Sequence, residues 1–223
     1  MINKIYFICK ALLFSLIVSA PLAVLANGDN LLRDASFEQQ LSPEQGGWIL
    51  FDQSQLSPEQ ARSGTRSMFN WGFSRTVPSP PFLLGTVSGS YQEFPAGPGS
   101  RWQLTGYGIT ATALRGAPAF GIVQVSFFDA KGNDLGTVET ADSNTPSAKT
   151  SNQLNSQTPA GEWVFLDTGI VTAPAGAATV QAFTLFVDYS GSDISQGVYF
   201  DDLSLCALED DDNTGSGCNK ADS

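Results

Sequence analysis

The chain has 223 residues with 22 acidic and 11 basic side chains, no histidine, and a formal net charge of −11 at pH 7. A surface this acidic repels nucleic acid and anionic membranes, so neither a nucleic-acid partner nor membrane insertion is expected. Without histidine the chain cannot build Ser-His-Asp or Cys-His catalysis, or a zinc or copper site that depends on histidine.

The first 26 residues have the pattern of a secretory signal peptide. Lys4 and Lys10 provide the basic region, an apolar run interrupted by Pro21 follows, and the small residue Ala26 precedes the predicted cleavage point. A retained membrane anchor is the weaker alternative, because the run is short for a bilayer span. We therefore expect a secreted protein, extracellular or periplasmic, whose mature chain starts at Asn27.

Residues 27–207 are predicted to form one all-β domain. Glycine and proline recur throughout, and no stretch holds a helical period. Strands are predicted over 66–73, 90–94, 101–111, 120–130, 135–140, 162–172, 179–189 and 197–205. Many short strands separated by turns predict a two-sheet antiparallel sandwich, or jelly roll. Two long polar segments, 74–89 and 141–161, are predicted loops, and the second could cover one face of the sandwich.

Strand alternation predicts which side chains of two central strands point outward. In 101–111 it places Trp102 and Leu104 in the core, and in 120–130 it does the same for Val123, Val125 and Phe127. The outward side chains of interest are then Gln103, Tyr107, Gln124 and Phe128. In 179–189 apolar residues fall on both parities, so alternation leaves the buried face of that strand open.

The last predicted strand contains two adjacent aspartates, Asp201 and Asp202. Alternation puts them on opposite faces and gives Asp201 the same face as Leu203 and Leu205. A carboxylate in a core-facing row is costly unless it is paired, hydrogen-bonded or bound to a metal. The pattern therefore predicts a partner for Asp201.

Two cysteines, Cys206 and Cys218, remain after removal of the predicted signal peptide. In an exported protein a disulfide between them is the default expectation. It would tie the acidic tail, 208–223, to the end of the last strand. The tail is rich in charge and poor in apolar residues, so we expect it to be mobile apart from this bond.

Seven short motifs together resemble a known family. They are NLLRDASFEQ (30–39), GW (47–48), ARSGTRSM (61–68), YQEFPAGPGSRWQLTGYG (91–108), FFDAKGNDLG (127–136), TAPAGAATVQ (172–181) and VYFDDLSL (198–205). In order and spacing they resemble the carbohydrate-binding modules of families four, nine and twenty-two, which are galactose-binding-like β-jelly rolls. The resemblance implies the fold more strongly than a ligand, because such folds are reused for many purposes.

The resemblance also implies a structural calcium ion where the first and last strands meet. The matching acids are Glu38 and Asp201, and main-chain carbonyls between Ser63 and Ser67 are the further expected ligands. Calcium binds several oxygens and mixes carboxylates with carbonyls, which agrees with this set. The alternative without a metal pairs Asp201 with Arg62 or Arg66.

Neutral sugars are bound by aromatic faces, with amides and carboxylates reaching the hydroxyls. Tyr107, Gln124 and Phe128, with Gln103, are therefore the predicted carbohydrate-binding patch, provided that their strands are neighbours. Trp71 precedes a proline-rich segment and is predicted to be a second, loop-mounted platform.

These observations predict a secreted, non-catalytic module that binds polysaccharide or oligosaccharide. The first alternative is a protein-interaction or matrix module on the same scaffold. The second is a small glycanase or polysaccharide lyase, which we do not favour because no paired-carboxylate strand motif is visible.

Overall fold

The computed structural model describes residues 29–78, 81–135, 148–208 and 218. The predicted signal peptide, the predicted strand over 135–140 beyond Leu135, and nearly all of the acidic tail lie outside these residues. Among the described residues, no helix has the length and apolar character needed to cross a membrane.

The described residues form β-strands and one short 3-10 helix over Pro43–Gln45. The strands are β1 (Ile49–Phe51), β2 (Ser54–Ser57), β3 (Ser67–Gly72), β4 (Arg75–Pro78), β5 (Pro81–Leu84), β6 (Thr86–Pro95), β7 (Arg101–Ile109), β8 (Ala119–Phe128), β9 (Ala148–Thr150), β10 (Val164–Asp167), β11 (Val171–Thr172), β12 (Thr179–Asp188) and β13 (Gln196–Leu208).

Two antiparallel sheets make the sandwich. The β12 sheet has the order β1-β6-β12-β8-β9, and the β13 sheet has the order β10-β7-β13-β3-β2, with β11 also paired to β7. Strands β4 and β5 pair only with each other in the described structure. The predicted all-β, two-sheet antiparallel sandwich is confirmed.

The core lies between the sheets and follows the predicted alternation on β7 and β8. Val123, Val125 and Phe127 are completely buried, and Trp102 and Leu104 face them from β7. On β12 the structure resolves the ambiguous parity, because Val180 and Phe186 point into the core. Burial of this apolar surface is the main source of stability for such a fold.

Two predicted segment boundaries are wrong. The predicted loop 74–89 contains β4, β5 and the start of β6. The predicted strand 162–172 is divided into β10 and β11, because Thr168 turns its hydroxyl to the main chain of Leu104 and Gly169 takes a positive φ of 63°. The described part of 141–161 adds β9 to the edge of the β12 sheet, and Leu154 behind it is buried in the core.

A β-bulge in the middle of β13 overturns the predicted facing of Asp201. The register between β13 and β7 shifts between Asp201 and Ser204, and Asp202 takes a positive φ of 48°. The extra residue reverses the alternation, so Phe200 before the bulge and Leu203 after it both enter the core. Asp201 therefore points out of the sheet, beside Tyr107 on β7.

A buried polar network closes one end of the sandwich. The Asp188 carboxylate is fully buried at the end of β12 and accepts hydrogen bonds from Ser74 Oγ (2.8 Å), Gln196 Nε2 (2.9 Å), and the Ser190 amide and hydroxyl (2.9 and 2.7 Å). Burial acts to raise the pKa of Asp188, but the hydrogen bonds from these donors outweigh it and hold the pKa below its ordinary value of 3.8.

Asp188→Asn should destabilise the protein by about 2 kcal/mol at pH 7, because the amide cannot accept all four hydrogen bonds. A carboxylate whose folded pKa is depressed contributes its stability above the unfolded pKa, near 3.8, and loses it as the pH falls through the folded pKa. Thermal unfolding measured from pH 7 to pH 2.5 should show the gap between wild type and variant shrinking below about pH 4. Asp193→Asn, at an exposed aspartate of the same loop, is the control and should leave the profile unchanged. A gap that is constant with pH would contradict this account.

Candidate carbohydrate-binding face

Three aromatic rings form a continuous strip on the outer face of the β12 sheet. Tyr91 on β6 and Phe183 on β12 are cross-strand partners, and their ring centroids are 5.3 Å apart. The ring of Phe51, on the edge strand β1, lies 6.5 Å from that of Tyr91. The aromatic strip, defined as Phe51, Tyr91 and Phe183, therefore crosses three adjacent strands.

Gly89 makes room for one end of this strip. It pairs with Phe51 across β1 and β6, and a Cβ at this position would lie 2.7 Å from Cζ of the Phe51 ring and 2.8 Å from Cδ2 of Leu185. These separations are shorter than van der Waals contact, so only glycine lets the Phe51 ring lie down against the sheet.

Amide and carboxylate groups flank the aromatic strip. Gln124 on β8 is the cross-strand partner of Phe183, and its Nε2 donates to Ser126 Oγ over 3.1 Å. Along one side of the strip, Gln181 Nε2 donates to Glu93 Oε2 over 2.6 Å. The Gln124 carbonyl and the remaining oxygen lone pairs of Glu93 can accept hydrogen bonds from hydroxyl groups.

A cleft of about 440 Å³ adjoins the aromatic strip at the edge of the sheet. Its wall includes Ile49 and Glu93, which also border the strip, together with Arg33, Gly46 and Phe94. Arg33 Nη1 donates to the Gln45 carbonyl over 3.0 Å, which holds the guanidinium in the wall of the cleft. An extended ligand on the strip could continue into this space.

The predicted patch of Tyr107, Gln124, Phe128 and Gln103 does not form. Tyr107 and Gln103 lie on β7 in the β13 sheet, whereas Gln124 and Phe128 lie on β8 in the β12 sheet. Alternation correctly turned all four outward, but the connection from β7 to β8 passes from one sheet to the other. The four side chains consequently point away from the sandwich on opposite sides.

The two members of that patch on β7 are already engaged by other side chains. The Arg62 guanidinium lies 3.6 Å above the Tyr107 ring, and the Phe165 ring packs edge-on at 5.3 Å. Gln103 donates to Asp167 Oδ1 over 2.8 Å and accepts from the amide of Cys218 over 3.1 Å.

Trp71 lies within β3 rather than on a loop, so that part of its prediction is wrong. It faces out of the β13 sheet opposite Gly197, and it is partly exposed. It is therefore on the opposite side of the sandwich from the aromatic strip.

The predicted disulfide between Cys206 and Cys218 is present, with a Cα–Cα distance of 5.5 Å. It attaches Cys218 of the tail to β13, on the outer face of the β13 sheet. The β12 sheet is free of this attachment.

The predicted calcium-binding residues converge on one segment, 62–66. Glu38 accepts hydrogen bonds from Thr65 and Arg66, and Asp201 accepts them from Arg62 and Ser63. Burial raises the pKa of Asp201 to about 6, against the effect of these amides, and the charge of Asp202 adds to the rise. For Glu38, slight burial acts to raise the pKa, and the bonds from Thr65 and Arg66 outweigh it.

The groups that face these two carboxylates fit a calcium ion poorly. They are main-chain N–H groups, which cannot ligate a cation, and the Thr65 hydroxyl, which already donates to Glu38, whereas calcium requires several oxygen ligands. Ser67 directs its hydroxyl to the Gln60 carbonyl, and Ser63 directs its own to Asp202. Within the described part of the chain, no three acidic or cysteine side chains come close enough to hold a metal. Calcium binding stays a prediction of the resemblance.

Sequence reasoning missed all three rings of the aromatic strip. Phe51 belongs to a strand of only three residues, and Phe183 to the strand with ambiguous parity. A usable signal was present in β6, where Tyr91 and Glu93 share a parity and alternate with Ser90 and Gln92.

Gly89→Ala should destabilise the protein by about 2 kcal/mol and displace the Phe51 ring, because the added methyl collides with Phe51, Leu185 and the Thr184 carbonyl. Thermal unfolding measures the loss. Gly97→Ala is the matched control, since a Cβ there meets nothing within 4 Å. Equal melting temperatures for both variants would show that the Phe51 ring does not lie against Gly89.

Several solved structures resemble this chain. A CBM22-1 xylan-binding domain from Paenibacillus barcinonensis is 18% identical over 82% of this chain and 97% of that chain, with a TM-score of 0.48. The C-terminal family 22 carbohydrate-binding module of a Clostridium thermocellum protein is 15% identical over 82% and 96%, with a TM-score of 0.48. The enzymatically active domain of tailspike protein 4 from bacteriophage CBA120 is 14% identical over 80% and 21%, with a TM-score of 0.47.

The sequence matches no protein-family model and no curated protein. Family 22 modules, which the sequence motifs resemble, are among the similar structures. At these identities and TM-scores the similarity concerns the outline of a β-sandwich and says nothing about a ligand. The sandwich itself rests on the strand pairing described above.

Proposed function

We propose that this protein is a non-catalytic carbohydrate-binding module that holds a neutral polysaccharide on the outer face of its β12 sheet. The observation that carries the proposal is the aromatic strip, in which Phe51, Tyr91 and Phe183 touch in sequence across three strands. Stacking on the C–H faces of sugar rings is the interaction that such partly exposed aromatics provide.

The polar groups beside the strip suit hydroxyl recognition. Gln124 lies at one end, and the Gln181–Glu93 pair lies along one side. A pyranose ring has apolar faces and a hydroxylated rim, so a ring stacked on Phe183 would bring its hydroxyls toward these amides and this carboxylate.

The charge of this face favours neutral sugars over anionic ones. The described strands of the β12 sheet turn no lysine or arginine outward beside the strip, and the carboxylate they present there is Glu93. A uronate polymer on the strip would meet this carboxylate and the acidic protein as a whole, while Arg33, the cation in the adjoining cleft, is directed to the Gln45 carbonyl.

The charged side chains of this face also support binding without catalysis. Glycoside hydrolysis uses two carboxyl groups that flank one bond. On the strip itself Glu93 has no second carboxylate beside it among the outward side chains of the described strands, and its Oε2 already accepts from Gln181. Glu44 lines the adjoining cleft together with Glu93, but it lies on the 3-10 helix and not on the strip. Export rests on the predicted signal peptide, and we propose that the module acts outside the cytoplasm.

Tyr91→Ala and Phe183→Ala should each weaken binding of a neutral oligosaccharide at least about tenfold, because each removes a stacking surface worth roughly 1.5 kcal/mol or more. Calorimetry with a panel of soluble oligosaccharides, including xylohexaose and β-1,4-galactotriose, provides the measurement. Tyr107→Ala removes a tyrosine ring from the outer face of the other sheet and should leave the affinity within about twofold. Loss of binding in Tyr107→Ala but not in Tyr91→Ala would place the ligand on the β13 sheet and contradict the proposal.

Incubation with the same neutral polysaccharides should release no reducing ends and produce no rise in ultraviolet absorbance, because the strip offers no carboxylate pair. Glu93→Gln should weaken binding several-fold, since it keeps one acceptor oxygen and loses the charge. Release of reducing ends that stops in Glu93→Gln would identify a glycanase instead.

A protein-interaction role is the second candidate, and exposed apolar side chains near the Asp188 network favour it. Phe73, Tyr189 and Ile194 are exposed to 46%, 39% and 41%. If the stably folded protein bound none of the oligosaccharides in the panel, this second role would be favoured over the first.

A further inference from the structure

Two carboxylates hold the segment 62–66 from its two ends. The Asp201 Oδ2 atom accepts from the amides of Arg62 (2.7 Å) and Ser63 (3.2 Å). The Glu38 Oε1 atom accepts from the amides of Thr65 (3.0 Å) and Arg66 (2.8 Å). Four of the five amides in this segment thus point at a carboxylate.

Gly64 is the turning point between the two halves of the segment. It has a φ of +60°, and a Cβ at this position would lie 2.4 Å from the Glu38 carboxyl carbon. A side chain here would be strained in the backbone and would collide with Glu38. The Glu38 carboxylate packs directly against the main chain of the turn.

The acceptor capacity of these carboxylates is largely used. A carboxylate oxygen has two lone pairs, and Asp201 Oδ2 and Glu38 Oε1 each already accept two amides. Asp201 Oδ1 accepts from the Asp202 amide over 2.8 Å, and Glu38 Oε2 accepts from Thr65 Oγ1 over 2.8 Å. Only one lone pair on each of these last two oxygens is left for any other ligand.

Asp202 extends the same arrangement to the side chains of the segment. Its carboxylate forms an ion pair with the Arg62 guanidinium at 2.5 Å and accepts from Ser63 Oγ at 2.5 Å. The guanidinium then covers Tyr107, as described above. The two adjacent aspartates of the bulge therefore bind the main chain and the side chains of the same segment.

We propose that main-chain amides, rather than a calcium ion, close the junction between the segment before β1, residues 29–48, and β13. The amide clamp, defined as the amides of 62, 63, 65 and 66 with the carboxylates of Glu38 and Asp201, occupies the place where the family resemblance expects the metal. Amides satisfy a carboxylate by charge-assisted hydrogen bonds, which are stronger than bonds between neutral groups. This turn links Glu38 to Asp201, in addition to the direct main-chain hydrogen bonds from Leu31 to Leu205 and from Leu203 to Ala35.

Amide hydrogen exchange followed by NMR tests the clamp residue by residue. In Glu38→Gln the amides of Thr65 and Arg66 should exchange at least about tenfold faster, while those of Arg62 and Ser63 keep their protection. Asp201→Asn should show the opposite pattern. Fast exchange of all four amides in the wild-type protein would overturn the proposal, because it would show that they do not donate to the carboxylates.

Thermal unfolding with and without calcium separates the clamp from a metal site without any variant. The melting temperature in EDTA and in millimolar calcium chloride should agree within about 1 °C, with magnesium chloride as the control for general ionic effects. A rise of several degrees that calcium produces and magnesium does not would show that an ion closes the junction, and would overturn the proposal.

Discussion

The hydrogen bonds that the Arg62 and Ser63 amides donate to Asp201 are the main constraint on this sandwich. They determine how the chain covers the outer face of the β13 sheet. Asp201 sits in the central strand of the β13 sheet, where it pairs with Tyr107 on β7 and directly follows Phe200, the last residue that pairs with β3. The bulge at Asp202 turns Asp201 outward while Phe200 and Leu203 remain in the core. An outward carboxylate that is nonetheless fully buried must have donors, and the segment 62–66 supplies them.

The same hydrogen bonds cover part of the outer face of the β13 sheet. By binding Asp201 and Asp202, the segment 62–66 brings Arg62 over the Tyr107 ring, and the disulfide brings Cys218 to Gln103 on the same side. This part of the β13 sheet is therefore covered by the chain itself. The rings of the aromatic strip and Tyr107 are all partly exposed, but among the described residues a guanidinium lies over Tyr107 and none lies over the strip. This difference in contacts is the physical basis of the proposed function.

The alternation of side chains predicted the buried and outward faces correctly for strands that are regular along their whole length. It placed Val123 and Phe127 in the core and turned Gln124 outward, because β8 is regular and no bulge interrupts its register with β12. It failed on β13, where one inserted residue reverses every later side chain. Adjacent aspartates between apolar runs are a signal for such a bulge, since aspartate tolerates a positive φ.

The position of the candidate site was harder to predict because it depends on which strands are neighbours. Tyr107 and Gln124 both point outward, yet only the sheet topology shows that they do so on opposite sides. The aromatic strip combines β1, β6 and β12, which are far apart in sequence and include a strand of three residues. Local patterns determine the direction of a side chain within its strand, whereas the strand order in the sheet determines which side chains of other strands lie next to it.

The most direct measurement is an NMR titration that follows the ring protons of the aromatic side chains as a neutral oligosaccharide is added. The signals of Phe51, Tyr91 and Phe183 should shift until they saturate, because sugar rings stack on the outer face of the β12 sheet. The signals of Tyr107 and Phe165 should stay in place, since Arg62 and the chain around it already cover them. Shifts confined to Tyr107 and Phe165 would contradict the account.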